Sequence, residues 1–452
     1  MHVIRSPGVP ARARTHGRTR ARTRTRVRTA LLAVSALLAA AGCGTAGPAG
    51  SAAAGSPARG LTLWALSDQT ILARAVAAWN QDHPRQKITL RLYANDDYKQ
   101  KLRIAFGAGR APDLFFNWGG GALDDYVGAG KVAALPPAAV GAGRFMPAVM
   151  RSAAFRGKVY GVPCNGLAPV VLYYNKKVMA AAGLRPPATY AELLADVRVL
   201  KARGVVPLSL AANDRWPTLM YMEYLLDRVG GSSVFTRIAA GDASAWKDPA
   251  VTEADRDLQT LARAGAFGGN ASGMTYDQGV ATALLYTGKA AMEVMGTWEY
   301  ANIAAAAPSF VSGGGLGWTT FPTVAGGRGE PGDLVGGPAN YLSLNAASTH
   351  KAAALAFLKD YVMNGTQQDA YLAAGSVPPV TGLEPKLAAV ATPDRAWLRF
   401  VYALVRKAPG FQLSWDQDLP SRRADPVLTG VDRSLLGQIR PEEFGAAMSE
   451  VP

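Results

Sequence analysis

The stretch that decides the fold runs from residue 61 to residue 118 and reads LTLWALSDQTILARAVAAWNQDHPRQKITLRLYANDDYKQKLRIAFGAGRAPDLFFNW. Two amphipathic stretches, 70–81 and 97–107, separate three short segments, the largely apolar Leu61–Leu66 and Asp113–Phe116 and the segment Lys87–Tyr93, whose apolar residues alternate with polar ones. Apolar positions three and four residues apart predict helices for the amphipathic stretches, and the three short segments predict strands. The order strand, helix, strand, helix, strand predicts a parallel sheet covered by helices, and therefore an α/β fold.

Polar side chains follow each of these three predicted strands. In open parallel sheets, ligands bind beyond the carboxyl ends of the strands. The candidate ligand-binding residues at these ends are Asp68, Asn95, Asp97, Asn117 and Trp118. Of the neighbouring acids Asp96 and Asp97, we expect one to bind ligand and the other to cap the following helix. Gly119–Gly121 is expected to leave space beside the Trp118 ring.

The positive charge of the chain is concentrated at its amino terminus. The formal net charge is +15, and residues 1–42 contain nine Arg and no acidic residue. The remaining 410 residues carry 39 basic and 33 acidic side chains and show no basic stripe. This dilute excess argues against a nucleic-acid partner.

The leader has the organisation of a secretory signal. The run Ala30–Gly42 is apolar or small throughout, but its 13 residues fall short of the ~20 that a membrane-spanning helix needs. A basic region, a short apolar region and small residues before a cleavage point predict a signal peptide over residues 1–42.

The residues that follow predict a lipid anchor. Ala40-Ala41-Gly42-Cys43 is similar to a bacterial lipobox, in which Cys43 is diacylated, although Leu38 lies five residues before the cysteine. Residues 43–60 are mostly Gly, Ala, Ser and Pro, which predicts a flexible tether. The predicted location is the extracellular face of the cytoplasmic membrane of a Gram-positive-type bacterium. The alternative is an ordinary signal-peptidase site near Ala41.

Few residues are suited to catalysis. After residue 42 the chain keeps one further cysteine, Cys164, and two histidines, His83 and His350, so Cys164 is expected to be a buried structural thiol. No zinc-protease helix motif or nucleotide-binding phosphate loop occurs, and no metal or cofactor is expected. A glycoside hydrolase needs only two carboxylates, so the pairs Asp97 with Asp416 and Glu223 with Asp214 leave that alternative open.

Several motifs spread over the chain resemble the extracellular solute-binding proteins of the maltose-binding-protein class. The segments that carry the resemblance occur in family order and read PDLFFNWGGG (112–121), FRGKVYGVP (155–163), LYYNK (172–176), PATYAEL (187–193), GKAAM (288–292) and GTW (296–298). The resemblance covers residues 61–451. It implies the sugar-capturing component of an ABC importer, a monomer that hands its ligand to the transmembrane permease subunits while a separate protein hydrolyses ATP.

The resemblance also implies the domain organisation. In this family two α/β lobes, each with a mostly parallel sheet flanked by helices, are joined by three hinge crossovers. The crossovers are expected near 165–168, 337–341 and 372–377. The amino-terminal lobe would then contain 61–165 and 340–372, and the carboxy-terminal lobe 166–339 and 373–452.

Tryptophans beside polar residues complete the predicted site. A sugar presents hydroxyls and flat C–H faces, which suit aromatic rings next to planar hydrogen-bonding groups. Such pairs, together with two asparagines at the implied crossovers, add the candidates Arg215, Trp216, Trp298, Trp415, Asp416, Asn165 and Asn340. Asn340 could instead only shape a hinge turn.

The predicted ligand is an oligosaccharide of two or more units. The stretches around Trp118 and Trp216 point toward the xylo-, cello- and chito-oligosaccharides. A cell-surface sugar sensor or lectin without a transport role would use the same kind of cleft and is the main alternative function.

Overall fold

Two β-sheets organise the chain in the computed structural model, which describes residues 60–390 and 394–451. The predicted signal peptide, Cys43 and nearly all of the predicted tether lie outside the described residues. The strands are β1 (Leu61–Leu66), β2 (Ile88–Tyr93), β3 (Leu114–Asn117), β4 (Ala154–Phe155), β5 (Lys158–Val159), β6 (Val162–Pro163), β7 (Ala168–Asn175), β8 (Val206–Ser209), β9 (Ala290–Gly296), β10 (Leu316–Thr319), β11 (Leu334–Gly337), β12 (Tyr341–Leu344) and β13 (Phe411–Leu413).

The α-helices surround these sheets and range from single turns to four turns. They are α1 (Thr70–Asp82), α2 (Asn95–Gly107), α3 (Gly120–Gly128), α4 (Pro147–Arg151), α5 (Lys176–Ala182), α6 (Tyr190–Ala202), α7 (Trp216–Gly230), α8 (Ser232–Ala239), α9 (Pro249–Ala264), α10 (Val280–Tyr286), α11 (Glu299–Ala306), α12 (Pro308–Ser312), α13 (Lys351–Asp360), α14 (Gly365–Ala373), α15 (Glu384–Ala389), α16 (Asp394–Lys407), α17 (Trp415–Asp418), α18 (Ser421–Leu435) and α19 (Pro441–Ser449).

The first sheet contains the predicted strand–helix–strand unit and has the order β2-β1-β3-β12-β6. β1 pairs in parallel with β2 and with β3, which confirms the parallel arrangement predicted for residues 61–116. β12 then joins antiparallel to β3, with Leu342 opposite Phe116, and β6 joins antiparallel to β12. The carboxyl ends of β1 and β3 therefore lie side by side at one edge.

The second sheet differs from the expectation of a mostly parallel sheet. Its order is β13-β11-β7-β9-β8, with β10 also paired to β7. The central strand β7 is antiparallel to β9, β10 and β11, and only the β8–β9 and β11–β13 pairs are parallel. The apolar run of β7 shows that the strand is buried, but it carries no information about strand direction, so the prediction of mostly parallel sheets is wrong here.

Hydrogen bonds tie the segments where the chain passes between the two sheets. The Cys164 N–H donates to the Asn340 carbonyl (2.9 Å), and the Asn340 N–H donates to the Asn165 side-chain oxygen (2.7 Å). The Leu167 N–H donates to the Val377 carbonyl (2.8 Å). The passages from β6 to β7, from β11 to β12, and from α14 toward β13 therefore meet at one place. Cys164 is buried there as a free thiol, as predicted.

Gly166 makes this meeting point sensitive to substitution. A Cβ atom at Gly166 would lie 2.0 Å from the Ser376 hydroxyl oxygen and 3.0 Å from the Val377 carbonyl oxygen. We expect Gly166→Ala to lower the free energy of unfolding by about 1–3 kcal/mol, as overpacking usually does. Urea denaturation measures this. Gly269→Ala is the matched control, because its Cβ would meet no atom within 4 Å, and equal stability of the two variants would contradict the prediction.

Candidate functional site

A cleft of about 900 Å³, partly open to solvent, lies at the carboxyl ends of β1 and β3 and extends to segments of the second sheet. We call it the main cleft. Eight of the twelve predicted ligand-binding side chains line it: Asp68, Asn95, Trp118, Asn165, Trp216, Trp298, Asn340 and Asp416. Residues far apart in the sequence are thus brought together, and their role in ligand binding stays a prediction.

Trp118 is the aromatic side chain that the first sheet contributes to the main cleft. The ring is half-buried and packs edge-on against Phe116, with ring centroids 5.2 Å apart. The Lys99 ammonium lies 4.9 Å from the Trp118 ring centroid and also 3.3 Å from the Asp416 carboxylate. The phenyl ring behind Trp118 and the ammonium beside it hold the indole in place at the end of β3.

The three glycines after Trp118 serve a different purpose from the one expected. A Cβ at Gly119 would lie 2.5 Å from the Ser152 carbonyl oxygen, one at Gly120 would lie 2.6 Å from the Gln417 carbonyl oxygen, and one at Gly121 would lie 2.3 Å from the Asp418 carbonyl oxygen. Gly119–Gly121 therefore lets other backbone segments approach α3 closely. The expected open space beside the ring is filled by the chain itself.

Segments around the second sheet contribute three more aromatic rings. Trp298 follows β9, Trp216 begins α7, and Tyr276 lies in the loop before α10. The Trp298 indole N–H donates to the Tyr276 hydroxyl (2.7 Å), and the Trp216 ring packs edge-on against Tyr276 with centroids 5.0 Å apart. The Tyr276 hydroxyl donates to Glu299 (2.6 Å). The sequence offered no strand end or repeated motif that would have identified Tyr276.

Acidic and amide side chains surround the rings. Enclosure by the cleft raises the pKa of Asp68, and the charge of Asp277 raises it further, while the Gln69 amide donates to Asp68 (2.9 Å) and opposes the shift. The Asp277 carboxylate accepts the Asn95 N–H (3.2 Å), which joins α2 to the loop before α10. Asp277 and Gln69, which also line the cleft, were not predicted individually.

The conserved pattern of one family matches most of the chain. The model of the bacterial extracellular solute-binding proteins matches residues 64–364. This chain belongs to that family. The fold agrees with this membership. Two β-sheets flanked by helices are joined by three connecting segments, as in the two-lobed fold that the resemblance implies.

Solved structures and curated relatives resemble this solute-binding protein. A structure from work on xylan utilization by the thermophilic bacterium Caldanaerobius polysaccharolyticus is 29% identical, with a TM-score of 0.77, and the match covers 86% of this chain and 99% of the other. A chitin oligosaccharide binding protein is 25% identical, with a TM-score of 0.77, and the match covers 87% and 97%.

Among curated sequences, the multiple sugar-binding protein of Streptococcus mutans is 28% identical over 233 residues, which are 50% of this chain and 52% of that protein. An ABC transporter extracellular-binding protein of Pyrococcus horikoshii is 24% identical over 241 residues, which are 52% of this chain and 55% of that protein. This chain spans about half the length of the curated relatives that it matches.

Four predicted residues lie outside the main cleft. Asn117 and Arg215 line a neighbouring space of about 1220 Å³, partly open to solvent, which we call the outer chamber. Asn117 is buried, donates to the Ser343 hydroxyl (2.8 Å) and accepts the Gly119 N–H (3.0 Å), so it shapes the turn after β3. The remaining two residues, Asp97 and Trp415, line neither space.

The structure therefore does not bring Asp97 and Trp415 together with the other predicted residues. The Asp97 carboxylate points to solvent and pairs with Lys101 one turn later (2.9 Å). It does not cap α2 either, because the helix begins at Asn95 and its N-cap is Ala94. Trp415 is fully buried and stacks on Phe235, with centroids 4.6 Å apart. The sequence around Trp415 resembles a loop and gave no sign that its side chain lies in the hydrophobic core.

Asn165 and Asn340 combine a structural contact with a place at the cleft. The Asn165 side-chain oxygen accepts the Asn340 N–H, so both residues hold the crossing segments together. Both side chains nevertheless remain partly exposed in the main cleft. The turn-shaping alternative considered for Asn340 applies to its backbone, which leaves its side chain available to a ligand.

The carboxylate pairs considered for hydrolysis are not presented together in the main cleft. Glu223 is fully buried and accepts the Trp415 N–H (2.6 Å) and the Ser414 hydroxyl (2.8 Å). Asp214 accepts the Tyr276 N–H (2.7 Å). Among the described residues there is no group of three or more His, Cys, Asp or Glu that could hold a metal ion. Nor does any described helix have the length and apolar character needed to cross a bilayer.

Two buried carboxyl groups, Glu293 and Glu299, lie close to the aromatic rings, and Glu299 is hydrogen-bonded to Tyr276. Glu299 accepts hydrogen bonds from Tyr276, Asn302 (3.1 Å) and Thr282 (2.5 Å). Glu293 is also buried, and neither of its oxygens has a hydrogen-bond partner among the described residues. Thr282 has one hydroxyl proton and donates it in a hydrogen bond to Glu299, so Thr282 cannot also donate to Glu293. Burial and the nearby carboxylate of Glu299 raise the pKa of Glu293 well above its usual value, which favours its protonated form.

The raised pKa of Glu293 predicts a pH dependence of stability. Above the ordinary value of 4.5, the unfolded chain loses a proton that the folded chain keeps. The free energy of unfolding therefore falls as pH rises, by ~1.4 kcal/mol per pH unit for one proton, until the folded-state pKa is reached. Glu293→Gln should make this slope shallower by that amount, as measured by urea denaturation from pH 5 upward. The exposed control Glu450→Gln should keep the wild-type slope, and a wild-type slope in Glu293→Gln would contradict the assignment.

Proposed function

We propose that this protein captures an oligosaccharide in the main cleft and delivers it to an ABC permease, without chemical conversion of the sugar. The observation that carries the proposal is the convergence of aromatic rings from both sheets on one cleft whose other lining is rich in carboxylate and amide groups. Trp118 comes from the first sheet, and Trp216, Tyr276 and Trp298 come from segments around the second.

This combination suits a carbohydrate better than other solutes of similar size. A pyranose ring presents apolar C–H faces, which stack on aromatic side chains, and a ring of hydroxyls at its edge. Asp68, Asn95 and Asp277 supply acceptors and donors that can pair with such hydroxyls. A hydrophobic solute would leave these polar groups unpaired, whereas an amino acid or ion would make little use of four aromatic rings.

Of the predicted xylo-, cello- and chito-oligosaccharides, the names of the relatives support the xylo- and chito- types. One similar structure comes from work on xylan utilization, and another binds chitin oligosaccharides. The S. mutans relative is named as a multiple sugar-binding protein. The P. horikoshii relative is named as part of an ABC transporter, which supports a permease as the partner.

The mechanism proposed is closure of two lobes around the sugar. We assign 61–165 with 340–372 to one lobe and 166–339 with 373–452 to the other. The polar contacts that cross between them include those from Lys99 to Asp416 (3.3 Å) and from the Asn95 N–H to Asp277 (3.2 Å). A ligand that bridges both lobes binds the closed form more tightly and shifts the equilibrium toward it. The permease would recognise the closed monomer.

The aromatic contribution of Trp118 can be measured directly. Calorimetry with xylo-, cello- and chito-oligosaccharides should identify a sugar that binds, and small-angle scattering should show a smaller radius of gyration in its presence. Trp118→Ala should then weaken binding about 5- to 150-fold, because a well-packed aromatic contact contributes ~1–3 kcal/mol.

Trp318→Ala is the matched control for Trp118→Ala. Trp318 is also half-buried but lies on β10, outside the main cleft. The Trp318→Ala variant should bind the sugar with the same affinity as the wild type. Near-native affinity of Trp118→Ala together with a lowered melting temperature would assign Trp118 to packing instead. If none of the sugars bound the wild-type protein, the oligosaccharide proposal would fail.

We further propose that the mature protein is anchored through Cys43 to the outer face of the cytoplasmic membrane, with residues 43–60 as the tether. The Arg-rich leader, the short apolar run and the Gly/Ala/Ser/Pro spacer support this. Cys43→Ala should release the protein into the medium or leave it unprocessed, which fractionation and immunoblotting would detect. A Cys43→Ala protein that is normally processed and fully membrane-bound would argue for a different anchor. Cys164→Ala is the control and should remain anchored.

A further inference from the structure

The main cleft continues past Trp118 and Trp216 into a second space. Lys99, Trp118, Trp216, Asp416 and Gln417 line both the main cleft and the outer chamber, so the two spaces are adjacent and share one wall. The main cleft has about 900 Å³ of space, which is partly open to solvent. The outer chamber, with about 1220 Å³, is additional.

Two polar atoms at the shared wall have no partner. The Trp216 indole nitrogen and the Gln417 side-chain oxygen are buried, and neither makes a hydrogen bond within the described residues. Buried donors and acceptors are nearly always paired in folded proteins, because an unpaired one loses its hydration without compensation. A hydroxyl-bearing chain that passes from the main cleft into the outer chamber would offer a partner to both atoms.

The outer chamber also carries a strained arginine. Arg215, at the start of α7, has φ 64° and ψ −42°, and this positive φ is unfavourable for a residue with a side chain. Such strain persists where the surrounding structure enforces it, often at binding sites. The Arg215 guanidinium donates to the Thr429 hydroxyl on α18 (3.1 Å). Its other N–H groups can donate to a ligand.

The chemistry of the outer chamber differs from that of the main cleft. Tyr126 and hydrogen-bonding or charged side chains such as Gln100, Arg103 and Asp425 line it, and Arg103 pairs with Asp425 (3.4 Å). Apart from the two shared tryptophans, Tyr126 is its aromatic residue. The outer chamber therefore offers hydrogen-bonding groups to the hydroxyls of further sugar units.

We infer that the ligand is an oligosaccharide of at least three units, with its first units in the main cleft and the following units in the outer chamber, where Arg215 binds them. This inference rests on the proposed function and adds the chain length to it. Arg215 thus becomes a specificity-determining residue that distinguishes long from short chains of the same sugar.

A length series tests the inference. Calorimetry would compare two-, three- and four-unit members of the xylo-, cello- and chito-oligosaccharide series with the wild-type protein, and the readout is the ratio of tetrasaccharide to disaccharide affinity. We expect a ratio of about ten or more in the wild type, the gain of a hydrogen bond to a charged group. Arg215→Ala should bring the ratio close to one. Trp298→Ala, in the main cleft, should weaken both lengths by the same factor and keep the wild-type ratio.

A second variant keeps the test independent of the strained backbone at Arg215. Ala122 lies on α3, is half-buried and lines the outer chamber, so Ala122→Phe should fill that space and also bring the ratio close to one. Equal affinities of the wild type for disaccharide and tetrasaccharide would overturn the inference while leaving oligosaccharide capture intact. A wild-type ratio in both Arg215→Ala and Ala122→Phe would also overturn it. Absence of binding to every saccharide would overturn the proposed function itself.

Discussion

The hydrogen bonds at the meeting of the three crossing segments are the constraint on which the rest of the structure depends. Asn340 is bonded through its N–H to the Asn165 side chain and through its carbonyl to the Cys164 N–H, while Leu167 is bonded to Val377. Each of these bonds joins segments more than 170 residues apart in the chain. Because the same segments border the cleft, the position of one sheet relative to the other, and with it the spacing of the binding groups, is set at this point.

Much of the fold could be predicted because its pattern is local. The alternation of apolar runs and amphipathic stretches in residues 61–116 specified three strands, two helices and their parallel arrangement. The direction of β7 could not be predicted, because an apolar run has the same pattern in both directions and its partners β9, β10 and β11 come from much later in the chain. Strand direction is decided by long-range pairing, which no short motif encodes.

The site was predictable where a side chain directly follows a strand. Asp68 and Trp118 follow β1 and β3, and Trp298 follows β9, and all three line the main cleft. Tyr276 was not predicted because it lies in an irregular loop. Trp415 has a similar loop-like sequence, but its side chain is buried and packs against Phe235. Whether a loop aromatic faces a cleft or a core depends on which distant segments cover it, and here those segments are α8 and the turn around Trp246.

The hydrogen-bonding capacity of Tyr276 and Trp298 limits what these two rings could contribute to the proposed binding of a sugar. The Tyr276 hydroxyl donates to Glu299 and accepts from Trp298 and Asn302, so it has no capacity left for a ligand. The single N–H of Trp298 is used in the same network. These two rings can therefore offer a sugar only their surfaces, which contact the apolar faces of a pyranose and form no hydrogen bond with its hydroxyls. In the proposed complex, discrimination between epimers would therefore rest on the polar groups of the main cleft, such as Asp68, Asn95 and Asp277, rather than on these two rings.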